Sequence, residues 1–405
     1  MIAAGLFLAL ASALGLADKA PDSIKLKDGR ELQGRVVYEG PETLRIKRGV
    51  SELEVKKSSV VDARTIERSL KEALERYDAI QKDDVGGLTE VARFCQERGL
   101  ENEARNFRLR VLLAGAEDPE TVEGAGARVV AKKVQVKNDD RWVDLEAWKD
   151  AKKDWKDAVE IRTAHFLVQT DLPMERVLDA AIQLERLYLR FYDFLAPELV
   201  LYVFDETPTV FFYANEKDCP PGWTPGEKSW FAPGENKLHV LVNEDLDLKR
   251  IVHEATDLLL FNAFRRSSGK TGQIPPWSVA GFAEYFAVTA GTTPGDPWAP
   301  LGTPYPPLFR VFADDASPSP MKQLMRSSLG DLNRGADGPR RSAEAYALVH
   351  WLMHGDGGAH RDVFFQQLRQ AWKGRSIEED LLKALGTDES KLLATVQAYA
   401  KSHSL

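Results

Sequence analysis

Cysteine is scarce in this chain: two in 405 residues, Cys95 and Cys219. Neither sits in a CxxC or zinc-knuckle spacing, which excludes a disulfide framework and a cysteine-built zinc module. The two fall in segments that read as different domains, so two free, buried thiols are expected. Concentrated positive charge is also missing. Lys and Arg number 54 against 62 Asp and Glu, a formal net charge of −8. Phosphate binding needs clustered cations, and their lack excludes a nucleic-acid partner. Beyond the N-terminus there is no long apolar run, so no integral membrane domain is expected. No unit recurs at a fixed period, which excludes a repeat array. What is present is 43% hydrophobic and 9% aromatic residues, too much apolar mass for a disordered chain. The length is enough for two to three domains.

Ile2 to Ala17 (IAAGLFLALASALGLA) carries no charge. It is shorter than the roughly 20 apolar residues a bilayer span requires. It closes on small residues at Ala11-Ser12-Ala13 or Gly15-Leu16-Ala17, as a secretory h-region does, although no Lys or Arg precedes it. Residues 1–17 are therefore expected to be a signal peptide, and the protein secreted or periplasmic.

Changes of periodicity divide the rest. Between 18 and 63 five short alternating stretches (Ile24/Leu26, Leu32/Val36, Leu44/Ile46, Leu53/Val55 and Val60-Val61) are separated by turn signals such as Asp28-Gly29. They predict a small SH3- or Sm-like β-barrel. From 64 to 148 the spacing is helical. Leu70, Leu74 and Ile80 mark one helix, and 88–98 and 101–113 form a hairpin hinged at Gly99-Leu100, followed by a short β-hairpin at 134–143. The charged stretch 149–157 reads as a linker.

From 158 to 405 the chain predicts an α+β domain: a small sheet packed on a central helix, then a mostly helical lobe. Val159–Val168 alternates as a strand, 174–195 is a long amphipathic helix, and 199–204 (LVLYVF) and 237–242 (KLHVLV) read as apolar strands. Between those two, 206–236 reads as a long loop whose Trp223, Trp230 and Phe231 either line a groove or pack it down. Asp247 is expected to cap a helix running to Phe264. On it, His253, Glu254 and Asp257 follow one another so that His253 and Asp257, four apart, face one point. In the HExxH arrangement two histidines so placed bind zinc, and the Glu activates the metal-bound water. After an excursion containing Gly269 to Gly272 comes Pro275-Pro276-Trp277 and then Gly281-Phe282-Ala283-Glu284-Tyr285-Phe286.

These two motifs, in this order, resemble the gluzincin-type zinc metallopeptidases, in particular the secreted bacterial peptidase-MA-like group. The resemblance covers 158–400 well and 23–145 loosely, and implies a zincin (thermolysin- or aminopeptidase-like) fold. It implies His253 as first zinc ligand and Glu254 as general base. Asp257 stands where the second His belongs, and Ala280, which has no donor atom, stands where the Glu ligand belongs. Glu284 lies one turn beyond Ala280 on the same helical face. Two readings follow. In the first, zinc is lost and a secreted, catalytically inactive peptidase-like protein binds a protein or peptide in the former cleft. In the second, His253, Asp257 and Glu284 form a rewired zinc site in an active metallopeptidase. Tyr346, on a predicted helix at 343–354, is the candidate stabiliser of a tetrahedral oxyanion, or else a core residue. His165 and His239 sit within predicted strands, and His354 and His360 flank a Gly-rich loop where solvent exposure is expected.

Overall fold

The computed structural model describes residues 22–405 apart from 41, 82–83, 139–140, 153, 200, 202, 205, 224–225, 227, 233–234, 243–245, 265–273, 334–336 and 373–377. The expected signal peptide and the Gly269–Gly272 excursion lie outside the described residues. No helix among those described is long and apolar enough to cross a membrane.

Alternation at the N-terminus produces five strands: β1 (Asp22–Leu26), β2 (Glu31–Glu39), β3 (Thr43–Arg48), β4 (Ser51–Lys56) and β5 (Val60–Arg64). They form an antiparallel sheet of order β4-β3-β2-β1-β5. A register shift between Val36 and Tyr38 bends β2. Ile24, Leu26, Leu32, Leu44, Ile46 and Val55 point to one side and make a small separate core.

Thr65 caps α1 (Ile66–Asp78), accepting the Arg68 N–H at 3.1 Å. Next come α2 (Val85–Glu97) and α3 (Glu101–Leu113). Gly99, at φ +74°, supplies the left-handed residue that ends α2. Then α4 (Pro119–Gly124) precedes a three-stranded antiparallel sheet of β6 (Ala127–Val130), β7 (Lys133–Asn138) and β8 (Arg141–Asp144). The sequence showed only β7 and β8, because β6 joins β7 through Ala131 and Lys132 at φ +50° and +64°. A turn of that shape is normally announced by Asn or Gly. Just ahead of the stretch expected as a linker (149–157) comes α5 (Leu145–Lys149), whose Trp148 is buried.

The third sheet has the order β12-β13-β11-β10-β9. The expected single strand over Val159–Val168 is a hairpin of β9 (Val159–Arg162) and β10 (Leu167–Thr170), because the Thr163 N–H bonds back to Phe166 O. The helix α6 (Met174–Leu199) runs on through the start of LVLYVF. Among its described residues, Leu201 and Val203 form no strand, and the Val203 N–H instead meets Val37 O at 3.2 Å. The strand that does enter the sheet is β11 (Thr209–Tyr213), parallel to β10 and to β13 (Lys237–Leu241). An antiparallel edge strand, β12 (Ser229–Ala232), pairs with β13. Trp230 stacks on His239, and Phe231 meets Phe261 edge-on at 5.4 Å. These two aromatics of the loop therefore pack it down.

Under the sheet lie α6 and α7 (Leu248–Phe264), followed by α8 (Pro276–Ala287), α9 (Pro306–Ala313), α10 (Met321–Arg326), α11 (Leu329–Asn333), α12 (Gly338–His354), α13 (Arg361–Trp372), α14 (Glu378–Ala384) and α15 (Glu389–Ser402). One continuous apolar core joins α1–α3 to this whole C-terminal region. Both cysteines are free, Cys95 buried and Cys219 half-buried. At Gly281 the helices α8 and α12 come into backbone contact: a Cβ there would lie 2.7 Å from Ala345 O and strike Val349. Gly281→Ala is expected to cost about 1–3 kcal/mol by forcing the two helices apart. Chemical denaturation checks it.

A buried polar cluster fastens the N-terminal sheet, α1 and α3 to α6. The His165 ring places Nδ1 2.6 Å from Glu185 Oε2 and Nε2 3.7 Å from Glu67 Oε1, and stacks on Tyr188 at 3.5 Å. Its backbone N–H reaches Glu185 Oε1 at 2.7 Å. Glu103 accepts the neighbouring Ala164 N–H, and Asp22 accepts Val36 N–H and Ile66 N–H. Burial, with the Glu67 charge second, pushes Asp22 up to about 7. Burial, with Glu185 second, does the same to Glu103, also to about 7. Burial would raise Glu67 and Glu185 as well, but His165 beside them holds both below their ordinary range. His165, expected in a strand without a partner, is thus a structural ion-pair residue in the β9–β10 turn.

Candidate functional site

The sequence around 247–264 folds as expected. Asp247 caps α7 through the Arg250 N–H at 3.1 Å, and Val252, Ala255, Leu258 and Leu259 are buried against sheet and helices. The opposite side of that turn carries His253 and Glu254, with Asp257 beneath. Ligating atoms of His253, Glu254 and Asp257 all lie within 4.8 Å of one another. From α8, Glu284 brings Oε1 to 3.5 Å from His253 Nε2. Of the residues selected from the sequence, His253, Glu254 and Asp257 thus cluster on α7, and Glu284 approaches them through His253.

Two serines not foreseen from the sequence hold the carboxylates. Ser229 Oγ on the edge strand β12 donates to Glu254 Oε1 at 2.8 Å, and Ser342 Oγ on α12 donates to Glu284 Oε1 at 2.7 Å. A serine in a strand or a helix carries no spacing that announces such a role. The group opens into a cavity of about 380 Å³ lined by His253, Glu254, Glu284, Arg250, Tyr305 and Ser342 among others. Lys249, on its rim, lies over the Tyr305 ring at 4.2 Å.

The electrostatics centre on His253, whose side chain is 15% exposed. Burial opposes its charged form, yet Glu284, Asp257 and Glu254 together outweigh burial and raise its pKa above the ordinary imidazole value.

Two other positions do not join the group. Ala280 is fully buried and offers only a methyl group. Tyr346 is fully buried too: its ring meets Phe309 at 5.0 Å, and its hydroxyl accepts the Tyr305 N–H at 3.1 Å. Tyr346 does not line the cavity; Tyr305 does. The other histidines serve packing. His354, expected in solvent, is half-buried with Nε2 2.8 Å from the Tyr285 hydroxyl, because the 302 turn folds over it. His350 bonds Tyr399 and Gly302, and burial pushes it down to about 3. His239 bonds the Tyr213 hydroxyl, and burial pushes it down to about 4.

As to zinc, the test is the donor set. One imidazole and two carboxylates, those of His253, Glu254 and Asp257, fit a divalent cation in number and kind. A hydrolytic zinc also needs a base free of the metal. With Ala280 silent, a third ligand must be Glu254 or Glu284. Taking Glu254 removes the base. Taking Glu284 surrounds the ion with two carboxylates, which leave less positive charge to acidify a bound water than two histidines and one carboxylate do.

Compared with protein-family models, curated proteins and solved structures, the chain matches none.

Proposed function

We propose that this chain is a secreted peptidase-like protein of zincin ancestry, preceded by an SH3-like barrel, that binds a protein or peptide in the cleft over His253 and does not hydrolyse it. The observation that carries this reading is the donor set just described, in which the position matched to the third ligand is a buried alanine. The His253–Glu284 contact, with Ser342 behind it, supports a site closed upon itself. The antiparallel edge strand and the 380 Å³ cavity supply an extended backbone edge and a pocket for a side chain.

A second reading rests on one distance. His253 Nε2 and Glu284 Oε1, 3.5 Å apart, are spaced as two ligands of one tetrahedral ion would be, which favours the rewired His253/Asp257/Glu284 zinc site with Glu254 as base. The two readings part on activity. In a cleavage assay on an unfolded protein with zinc supplied, the unmodified chain is expected to match Glu254→Gln at background. Hydrolysis that disappears in Glu254→Gln would establish the second reading instead.

A further inference from the structure

A cleft of about 1030 Å³ lies between α1, α6 and the segment 293–301, and shares no lining residue with the His253 cavity. Its far wall is anchored. Gln183 of α6, only 1% exposed, donates to Pro294 O at 2.8 Å and accepts the Trp298 indole N–H at 2.7 Å. The wall is therefore ordered before any ligand arrives.

Among the described residues, most charges around this cleft are paired; the exposed Glu75 and the half-buried Arg190 are not. Arg186 pairs with Asp78, Lys71 with Asp193 at 2.9 Å, and Asp179 with Arg110 at 2.7 Å. Asp296 accepts the Thr293 N–H at 2.7 Å. Arg190 has no carboxylate within 4.0 Å among the described residues. One of its Nη atoms donates to Thr289 Oγ1 at 3.1 Å, and its guanidinium lies over the Trp298 ring at 5.2 Å. Burial works against its charge, as does Arg186 one turn away. A half-buried guanidinium so placed has several N–H groups unspent and no charge to answer its own.

We infer that this cleft is a binding site for an organic carboxylate, which the remaining N–H groups of Arg190 grip while its apolar body lies along Leu74, Leu189 and Leu301. Arg190 is the one lining cation without a carboxylate partner among the described residues, which suits a singly charged anion; the surrounding Glu75, Asp78, Asp193 and Asp296 repel a doubly charged phosphate. The planar fork of Arg190, backed by Trp298, matches a carboxylate in shape. A fatty acid and the C-terminus of an apolar peptide share this chemistry. The inference does not depend on the reading of the His253 cleft.

Isothermal titration calorimetry on the purified protein tests it with two pairs of probes: decanoate against decanamide, and N-acetyl-Ala-Leu free acid against its C-terminal amide. One acid at least is expected to bind while its amide does not, and which acid binds identifies the source. Arg190→Gln should weaken that binding about tenfold or more, with Arg190→Lys between the two. Amides that bind as tightly as acids, an unchanged affinity in Arg190→Gln, or no binding by either acid would each overturn the inference. Should Arg190→Gln melt far below the parent, the acid-against-amide comparison on the unmodified protein still decides.

Discussion

Replacing Glu185 by leucine is expected to destabilise the protein by about 3–5 kcal/mol, the cost of removing one partner from a buried ion pair. Glu185 is 2% exposed and holds His165 twice, through the ring Nδ1 and the backbone N–H. Without it, two buried donors lose this acceptor, and Glu67 stands 3.7 Å from the ring. The substitution acts where the N-terminal helices meet α6, so the loss should appear in the main unfolding transition and not as a local fraying. The pair is costly to break but not costly to replace. The double variant His165→Leu, Glu185→Leu should recover a large part of the loss, because two apolar side chains leave no stranded charge. Guanidinium denaturation at pH 6 measures both. A Glu185→Leu protein within 1 kcal/mol of the parent would mean that the cluster does not fasten these elements.

Glu103→Gln should do the reverse, and only at high pH. Burial, and Glu185 after it, raises the Glu103 pKa to about 7, above the unfolded value of 4.5. A carboxyl raised in the folded state contributes stability fully present below its unfolded pKa and lost as pH rises through its folded pKa. Glutamine is a close stand-in for the protonated form, and its oxygen can still accept the Ala164 N–H. At pH 5 the variant and the parent should be nearly equal. By pH 8.5 the parent carries a buried carboxylate beside Glu185, and the variant should be more stable by on the order of 1–3 kcal/mol. The comparison within one pH isolates this group from His239 and His350. Those two, depressed by burial, make stability fall as pH drops through 6.5 and below. A difference between variant and parent that does not change from pH 5 to pH 8.5 would contradict the assignment.

The parts of this molecule read correctly from sequence are those where a local rule and the tertiary context agree. Ile24, Leu32, Leu44 and Val55 alternate because one side of their sheet is buried, and Thr65 and Asp247 cap helices where capping residues stand before apolar periodicity. Misreadings arise where two segments compete for one role. LVLYVF at 199–204 and TVFFY at 209–213 are equally apolar; α6 takes the start of the first, and the sheet takes the second. Short apolar runs do not distinguish those outcomes. The candidate site divides in the same way. His253, Glu254 and Asp257 share one helical turn, so their meeting follows from spacing, and Glu284 joins them through the packing of α8 on α7. Ser229 and Ser342 come from a strand and a helix far away in the chain, and Tyr346 is turned into the core by Phe309 and the Tyr305 backbone. No periodicity encodes such long-range contacts. The same is true of Arg190, whose significance depends on Trp298 and Thr289 more than ninety residues away.

The most direct test of the proposed role is metal content. Mass spectrometry on the purified protein, beside the double variant Asp257→His, Ala280→Glu, measures whether the cluster on α7 and α8 keeps zinc. The account predicts far less than one zinc per chain in the natural protein and near-stoichiometric zinc in the double variant, whose donors complete a His, His, Glu set. A double variant that folds but stays empty would contradict the zincin ancestry. Near-stoichiometric zinc in the natural protein would contradict the binding-module reading and give the site to His253, Asp257 and Glu284.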